Sequence, residues 1–333
     1  MLNVLYQVPE NLLDCEAHQL HEKLAGPTLL HLQGENKKTV FISVLLHGNE
    51  VSGWYVVRQL LREYINKPPG KTLLIFIGNT AAAEKGLRML PGQQDYNRIW
   101  KADSNDEEFA FTRQLKKILA TSDIFVAIDI HNNTGLNPHY ACVNRLTPEF
   151  LGLANLYSDL IVYFTQPDNV LSLTLADYAP ALTLECGKPG DLEGINKVWN
   201  LLEICLDVDV IPEVDIHSLH LFETVAIVKV PHSLSVGFTD DTDICFVPDI
   251  DHMNFRELPE GTVWAYAQQL EQCPLVVYDN QGHNVTADYF SFADHTVRSL
   301  CSVMPSMLTM RSDIIRQDCL CYLMQRVDLT ENK

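Results

Sequence analysis

The stretch that decides the fold is Thr39–Glu50, TVFISVLLHGNE, in which a mostly apolar run leads directly into His47-Gly48-Asn49-Glu50. Such a run predicts a strand that is buried on both faces. Residues 51–65 follow with apolar side chains at helical spacing, so a helix comes next. Open α/β sheets are built from strands that turn into helices, and they bind ligands at the carboxyl ends of the strands. Residues 47–50 therefore lie at the position where enzymes built on parallel sheets have their active sites.

Three further stretches carry polar residues of the same kind. Asp129-Ile130-His131-Asn132 ends the apolar run Ile124–Ile130, and Leu184-Glu185-Cys186-Gly187 ends the run Ala181–Leu184. Asp95-Tyr96-Asn97-Arg98 lies in a loop. With residues 47–50, these stretches supply two imidazoles and a carboxylate that can hold a metal, a second carboxylate that can move protons, and an arginine that can hold negative charge.

Buried strands and helices alternate up to about residue 206, which predicts a mixed α/β sheet flanked by helices. Further strands are expected at Thr72–Ile77, His139–Val143 and Ile161–Phe164, and helices at Glu107–Ala120, Pro148–Tyr157 and Gly194–Leu206.

Two local patterns near the N-terminus give additional predictions. Residues Glu10–Leu24 have a helical pattern. The runs Thr28–Gln33 and Thr39–Leu46 are joined by the polar turn Gly34–Lys38, which predicts a β-hairpin.

The pattern changes near Pro212, where short strand-like runs separated by turns begin, among them Val225–Val230 and Leu275–Tyr278. Residues 278–282, YDNQG, are typical of a hairpin tip. A chain of 333 residues is also too long for one ordinary core. We therefore expect a catalytic α/β domain at residues 1–210 and a smaller β-rich domain at residues 211–333.

Composition limits the partners and the compartment. The formal net charge is −19, and so acidic a surface repels nucleic acid and anionic lipid. No apolar run reaches the ~18–20 residues of a membrane span, and the N-terminus lacks a signal-peptide pattern. The nine cysteines form no CxxC pair, as expected of reduced thiols. These features predict a cytoplasmic protein that binds neither nucleic acid nor membrane, with homo-oligomer formation left open.

Imidazole and carboxylate groups in two of the stretches predict a metal site. His47 and Glu50 lie three residues apart where a turn can aim both at one point, and His131 ends another strand. Two nitrogens and one oxygen suit a catalytic zinc ion, which keeps three protein ligands and one open position. A second His-x-x-Glu pair, His220 and Glu223, precedes a β-run with no glycine turn or following helix, and we interpret it as a surface or core pair.

Glu185 is the candidate general base. An acidic residue at the end of a buried strand is costly unless it opens into a polar site, and a carboxylate beside a metal-bound water can accept its proton. A glutamate paired with Lys188 is the alternative interpretation. We interpret the adjacent Cys186 as a small buried hydrophobic residue rather than a nucleophile. Whether His139 faces the site is left open.

The loop stretch and its neighbours provide the remaining candidates. Arg98 follows Asn97, and Arg88 lies ten residues earlier in the same loop. A guanidinium group can bind a carboxylate or stabilise an oxyanion, although a loop arginine can equally be a solvated surface charge. Asp95 and Asp129 compete for the role of orienting a metal-binding histidine.

Taken in order, these motifs resemble those of the zinc carboxypeptidase superfamily and, within it, the succinylglutamate desuccinylase/aspartoacylase family. The resemblance covers about residues 40–190. It implies a zinc-carboxypeptidase-like sheet in which His47, Glu50 and His131 bind one zinc ion per chain. It also implies that Glu185 is the general base.

The same resemblance assigns the loop residues. Asn97 and Arg98 would bind a substrate carboxylate, Asp95 would support a metal-binding histidine, and Arg88 would polarise the scissile carbonyl. Aspartoacylases carry a further substrate-binding arginine ahead of the glutamate, where this chain has Leu173-Thr174-Leu175-Ala176. The acyl group of the substrate therefore stays open.

We expect, on these grounds, a zinc-dependent hydrolase that cleaves an amide bond next to a free carboxylate in a small molecule, as an N-acyl amino acid deacylase does. A metallocarboxypeptidase that acts on short peptides is an alternative of the same class. A non-catalytic zinc-dependent binding protein is the alternative from another class, although it would have no use for Glu185.

Overall fold

The computed structural model describes residues 1–101 and 109–327. By internal contacts the chain divides into two compact units. The first unit contains Met1–Asn132 and His139–His220, and the second contains Asn133–Pro138 and Leu221–Lys333. A division into domains at residue 210 stays a prediction.

The first unit is built on a mixed β-sheet. Its strands are β1 (Asn3–Leu5), β2 (Thr28–Leu32), β3 (Asn36–Val44), β4 (Lys71–Ile77), β5 (Ile124–His131), β6 (Tyr140–Val143), β7 (Leu160–Tyr163) and β8 (Ala181–Glu185). The order across the sheet is β1-β2-β4-β3-β5-β8-β6-β7. Strands β4, β3, β5 and β8 are parallel, while β2 and β6 run antiparallel to their neighbours in this group. The predicted mixed sheet flanked by helices is confirmed.

Helices connect and cover these strands. They are α1 (Ser52–Tyr64), α2 (Thr80–Glu84), α3 (Ala110–Leu119), α4 (Pro148–Asn155), α5 (Leu171–Leu175) and α6 (Leu192–Asp207). Helix α1 packs on α6, β3 and β5, and α5 packs on β5 and β8. Asp191 starts α6 by accepting hydrogen bonds from the backbone N–H groups of Glu193 and Gly194. Helix α3 lies within the predicted helix Glu107–Ala120, of which residues 107 and 108 lie outside the described residues.

The parallel strands bring the polar stretches to one edge of the sheet. Strands β3, β5 and β8 are neighbours, and His131 and Glu185 are paired in register at the ends of β5 and β8. Because paired residues on parallel strands share a face, these two side chains project from the same side. His47 follows the end of β3 by three residues, so all three strand ends contribute to this edge.

The predicted hairpin of β2 and β3 is wrong, because β4 lies between the two strands. Strand β4 pairs antiparallel with β2 and parallel with β3, and all of its residues are buried. The polar connection packs against the start of β4 instead of closing a tight turn. Gly34 donates its N–H to Thr72 Oγ1, and a side chain at Gly34 would clash with the backbone of Lys71.

The prediction of one continuous helix at Glu10–Leu24 is also wrong. Two short 3₁₀ helices, Leu12–Asp14 and Ala17–Glu22, occupy this region. Cys15 adopts an extended conformation between them, which interrupts the helical backbone. Glu16 and Gln19 then form a capping box that starts the second turn.

The second unit is rich in β-structure, as predicted for the C-terminal region. Strand β9 (His220–Lys229) pairs antiparallel with β13 (Val276–Asp279) and β17 (Cys321–Arg326), and β17 pairs with β16 (Met304–Ser306). A second sheet has the order β10 (Val236–Gly237), β11 (Ile244–Phe246), β12 (Val263–Tyr266), β15 (Thr296–Ser299) and β14 (Phe290–Ala293). Two short helices, α7 (Thr286–Tyr289) and α8 (Ser312–Gln317), accompany them.

The core of the second unit is apolar and contains Phe246, Trp264 and Phe290. The chain reverses after β13, where Asp279 N–H binds His283 O and Gly282 has φ +83°, as predicted for the hairpin tip. Within the described ranges, no helix is both long and apolar enough to cross a membrane.

Candidate active site

The turn after β3 is held in place by its neighbours. Leu45 has φ +56° and begins the turn. Gly48 donates its N–H to Arg88 O, and a Cβ at Gly48 would lie 2.2 Å from Ala83 N, so only glycine fits there. The backbone from residue 45 to residue 50 is therefore fixed before any ligand binds, which orients His47 and Glu50.

Two histidines converge on one carboxylate at this turn. His47 Nδ1 lies 2.7 Å from Glu50 Oε1, and His131 Nδ1 lies 2.8 Å from Glu50 Oε2. All three side chains are buried, and one ligand atom from each can be chosen so that the three lie within 4.8 Å of one another. The structure thus brings together the three predicted metal ligands in a group that could hold a metal ion.

The other ring nitrogen of each histidine faces an aspartate. His47 Nε2 lies 3.1 Å from Asp95 Oδ1, and His131 Nε2 lies 2.9 Å from Asp129 Oδ2. Metal-binding histidines are usually fixed in this way, with the far nitrogen donating to a carboxylate. Asp95 and Asp129, which the sequence left in competition for this role, thus each contact one of the two histidines.

The charges of this cluster shift its pKa values. Burial raises the pKa of Glu50, but His47 and His131 outweigh this effect and hold it well below the usual range. Burial likewise raises the pKa of Asp95, but His47 and Arg88 hold it far below the usual range. Both carboxylates are therefore ionised and suited to bind a cation or an imidazole N–H.

His131 shows the opposite balance. Burial lowers its pKa, but the carboxylates of Asp129 and Glu50 outweigh burial and hold it well above the usual value. The imidazole of His131 therefore lies in a strongly negative environment, which favours a positive charge on the ring or a bound cation beside it.

Asp95 joins the metal-site histidine to the loop arginine. Arg88 donates to Asp95 Oδ2 through both Nε (3.1 Å) and Nη2 (2.8 Å). Asp95 also accepts from the backbone N–H of Asn97 through Oδ1 and of Arg98 through its carbonyl. The Asp95–Arg98 stretch is thus a compact turn anchored on His47.

A second set of hydrogen bonds attaches this turn to the segment before α5. Asn97 Oδ1 accepts from the N–H of Leu171, the first residue of α5, at 3.0 Å. Asn169 Nδ2 donates to Arg98 O at 2.8 Å. The amide oxygen of Asn97 is therefore used by the fold.

Glu185 is buried at the end of β8, next to His131 in the adjoining strand. The hydroxyl of Tyr157 donates to its backbone carbonyl at 3.2 Å. Burial, with the charges of Glu185 and Glu50, raises the pKa of the Cys186 thiol. The thiol is therefore kept protonated, and the catalytic role expected of Glu185 stays a prediction.

Comparison with known proteins gives a family match. Residues 36–196 match the model of the succinylglutamate desuccinylase/aspartoacylase catalytic domain. This stretch of the chain is similar to that catalytic domain. The matched range contains all nine candidate residues, from His47 to Glu185, and the match supports hydrolysis of an amide bond in an N-acyl amino acid.

Individual relatives agree with this match. The chain is 25% identical over 258 residues to a succinylglutamate desuccinylase of Serratia proteamaculans, covering 68% of this chain and 74% of the relative. The crystal structure of a succinylglutamate desuccinylase from Chromobacterium violaceum matches with a TM-score of 0.60 at 19% identity, covering 90% of this chain and 89% of that chain. Murine aminoacylase 3 matches with a TM-score of 0.60 at 15% identity, covering 88% and 96%. The two structures show the same fold.

Two other histidines that the sequence analysis considered make different contacts. His139 Nε2 lies 3.2 Å from Asp191 Oδ2, so it contacts the residue that caps α6. His220 and Glu223 both lie in β9, where residues three apart point to opposite faces. They do not form a second metal pair.

The sequence did not assign a role to Asn132 or Ser52. Both are buried, and they are hydrogen-bonded to each other and to the turn that follows Glu185. Asn132 stands directly after a predicted metal ligand, which is the one sequence signal that could have drawn attention to it.

Proposed function

We propose that the protein is a zinc-dependent hydrolase that cleaves the amide bond of an N-acyl amino acid next to a free carboxylate. The observation that carries the proposal is the convergence of His47 Nδ1 and His131 Nδ1 on the two oxygens of Glu50, with Glu185 next to His131 in register. The family match supports the same reaction.

The donor set fits zinc. Two imidazole nitrogens and one carboxylate oxygen form a usual catalytic zinc site, and a buried cluster with this much negative charge is stabilised by a divalent cation. We propose one zinc ion per chain, bound by His47, Glu50 and His131. Zinc bound there would polarise a carbonyl group and lower the pKa of a water molecule.

Residues of the chain would then transfer protons and stabilise the charge that develops during the reaction. Glu185 would accept a proton from the attacking water and deliver it to the leaving amine. Arg88 would donate hydrogen bonds to the oxygen on which negative charge develops. Asp95 and Asp129 would keep the imidazoles of the metal site in the correct tautomer.

Asn97 and Arg98 would recognise the carboxylate of the substrate. A guanidinium group binds a carboxylate through two parallel hydrogen bonds, and the amide nitrogen of Asn97 would add a third. Because the turn that carries both residues is anchored at Asp95, Asn169 and Leu171, the carboxylate would be held at a fixed distance from the metal site. This fixed distance supports a small substrate in which the amide lies next to the carboxylate.

The setting proposed for this activity is the cytoplasm. The nine cysteines, all within the described residues, form no disulfide, as expected of a protein kept in a reducing compartment. The net charge of −19 supports a small-molecule substrate rather than nucleic acid.

The proposal is tested by metal analysis and a substrate panel. Zinc-loaded protein and the Glu185→Gln variant are assayed on N-acetyl and N-succinyl amino acids and on dipeptides with a free C-terminus. Replacement of a general base is expected to lower kcat by roughly 10²–10⁴-fold. Glu149→Gln, at an exposed glutamate near the start of α4, serves as the control.

The outcomes separate the alternatives. Preference for dipeptides would favour a carboxypeptidase. Saturable binding without turnover would favour a zinc-dependent binding protein. Full activity of Glu185→Gln would contradict the mechanism.

A further inference from the structure

We propose that Asn132 and Ser52 are positioning residues that fix the distance between the metal ligand Glu50 and the catalytic base Glu185. Neither residue is a metal ligand, and neither is placed against substrate. The inference rests on the proposed hydrolase function. The inference explains how the carboxylates of Glu50, the proposed metal ligand, and Glu185, the proposed base, are held at a constant distance from each other.

The first half of the connection holds the Glu50 side. The backbone N–H of Asn132 donates to Glu50 Oε2 at 3.2 Å. The side chain of Asn132 binds Ser52 twice, because Oδ1 accepts from Ser52 N at 3.1 Å and Nδ2 donates to Ser52 Oγ at 3.0 Å. Ser52 begins α1 two residues after Glu50. Asn132 therefore contacts the carboxylate of Glu50 and the start of the helix that follows it.

The second half holds the turn after Glu185. Asn132 Nδ2 also lies 2.9 Å from Gly187 O and 3.3 Å from Cys186 Sγ. Ser52 Oγ accepts from the backbone N–H of Gly190 at 2.9 Å. The turn at residues 186–190 is thus attached to the same two side chains that hold the Glu50 segment.

The hydrogen bonds of Asn132 and Ser52 are costly to lose because both side chains are buried. Asn132 is 3% exposed and Ser52 is fully buried, so water has little access to replace a lost partner. A buried polar group that loses its partner incurs a desolvation cost, and the surrounding segments shift to reduce it. The bonds join segments that lie 54 to 138 residues apart in the chain, so local backbone geometry cannot substitute for them. Loss of either side chain should therefore displace the Glu185 turn relative to Glu50.

A purely structural role would give a different result. Asn144 offers a matched comparison, because it is also buried and its Nδ2 donates to one backbone carbonyl, Phe164 O, at 3.0 Å. If Asn132 only stabilised the fold, Asn132→Ala and Asn144→Ala would lower the melting temperature and the activity in the same proportion. A positioning role predicts a loss of kcat that stability does not explain.

The experiment compares Asn132→Ala, Ser52→Ala and Asn144→Ala in the zinc-loaded full chain. For the first two variants we expect kcat to fall about 10- to 100-fold, since a displacement of about 1 Å can cost roughly 100-fold in rate. KM should change by less than kcat, because Asn97 and Arg98 belong to a different segment. Zinc affinity, measured by competition with a chelator, should weaken by at most about tenfold, since the three ligands stay in place.

Hydrogen exchange gives a readout that does not depend on turnover. The amide of Gly190 should exchange faster in Ser52→Ala than in the wild type, and not in Asn144→Ala. Ser52→Ala keeps the experiment decisive if Asn132→Ala fails to fold. Wild-type kcat in Ser52→Ala, or a loss of kcat that follows melting temperature equally in all three variants, would overturn the inference. If the wild type hydrolyses no N-acyl amino acid, the proposed function fails, and unchanged Gly190 exchange in Ser52→Ala would then overturn the positioning role separately.

Discussion

His47 presents its Nε2 to Asp95 Oδ1 at 3.1 Å, while its Nδ1 faces Glu50 at 2.7 Å. Asp95 is in turn bound by two nitrogens of Arg88. An imidazole held at both nitrogens has a fixed ring orientation, so Nδ1 would face the proposed metal position before metal binds. The Asp95 carboxylate also makes Nδ1 a more basic ligand.

Asp95→Asn is therefore expected to weaken zinc binding by about 10- to 100-fold, the usual effect of removing a carboxylate behind a metal-binding histidine. Zinc affinity is measured by chelator competition. Asp177→Asn is the control, because Asp177 also forms an ion pair with an arginine, Arg145, but is exposed. Equal zinc affinity in wild type, Asp95→Asn and Asp177→Asn would show that Asp95 does not support the metal site.

The shifted pKa of His131 predicts the pH dependence of metal binding. Asp129 and Glu50 outweigh burial and hold this pKa well above its usual value, so at neutral pH the metal must displace a proton. The sign follows from this competition: apparent zinc affinity should rise as pH increases and level off above the pKa of His131. The expected slope is about tenfold per pH unit for one proton released.

The same competition can be tested through Asp129. Asp129→Asn removes one of the charges that raise the pKa of His131, so the plateau should begin at a lower pH than in the wild type. Chelator competition from about pH 6 to about pH 9 covers the range in which an imidazole titrates. An affinity that does not change over this range would contradict the assignment of His131 as a ligand.

The parts of this structure that could be predicted from the sequence are those set by local patterns. Apolar runs located β3, β4, β5 and β8, and polar residues directly after them located His47, His131 and Glu185. The pairing of β2 could not be predicted, because a polar turn between two strands looks the same whether or not a third strand enters between them. Only the strand order, in which β4 pairs with both β2 and β3, decides that case.

The hydrogen bonds between side chains could not be predicted from the sequence for a similar reason. The role of Asn132 depends on Ser52, Gly187 and Gly190, which lie far from it in the chain. Asn97 was expected to bind substrate, yet its amide oxygen is used by the N–H of Leu171. Such contacts follow from strand order and register, which local patterns do not specify.

Arg98→Gln is predicted to raise KM about 10- to 100-fold for N-acyl amino acids, since a hydrogen bond to a charged group contributes about 1.5–3 kcal/mol. The decisive comparison uses the matching N-acyl amino acid amide, which has no carboxylate. If Arg98 binds the carboxylate, wild type and variant should hydrolyse the amide with similar kcat/KM. Arg145→Gln, at an exposed arginine paired with Asp177, is the control. An equal loss on both substrates would exclude carboxylate recognition.

Cys186→Ala tests whether the thiol next to the catalytic glutamate takes part in the chemistry. Burial and the charges of Glu185 and Glu50 raise the pKa of Cys186, and its Sγ donates to His131 O at 2.8 Å, so the thiolate needed for nucleophilic attack is suppressed. We expect kcat within about tenfold of wild type, whereas removal of a covalent nucleophile can cost roughly 10⁶-fold. Alkylation of the native wild-type protein should modify half-buried thiols such as Cys245 and Cys273 before Cys186, with activity retained. Loss of activity in step with modification of Cys186 would replace the metal-and-glutamate mechanism with thiol catalysis.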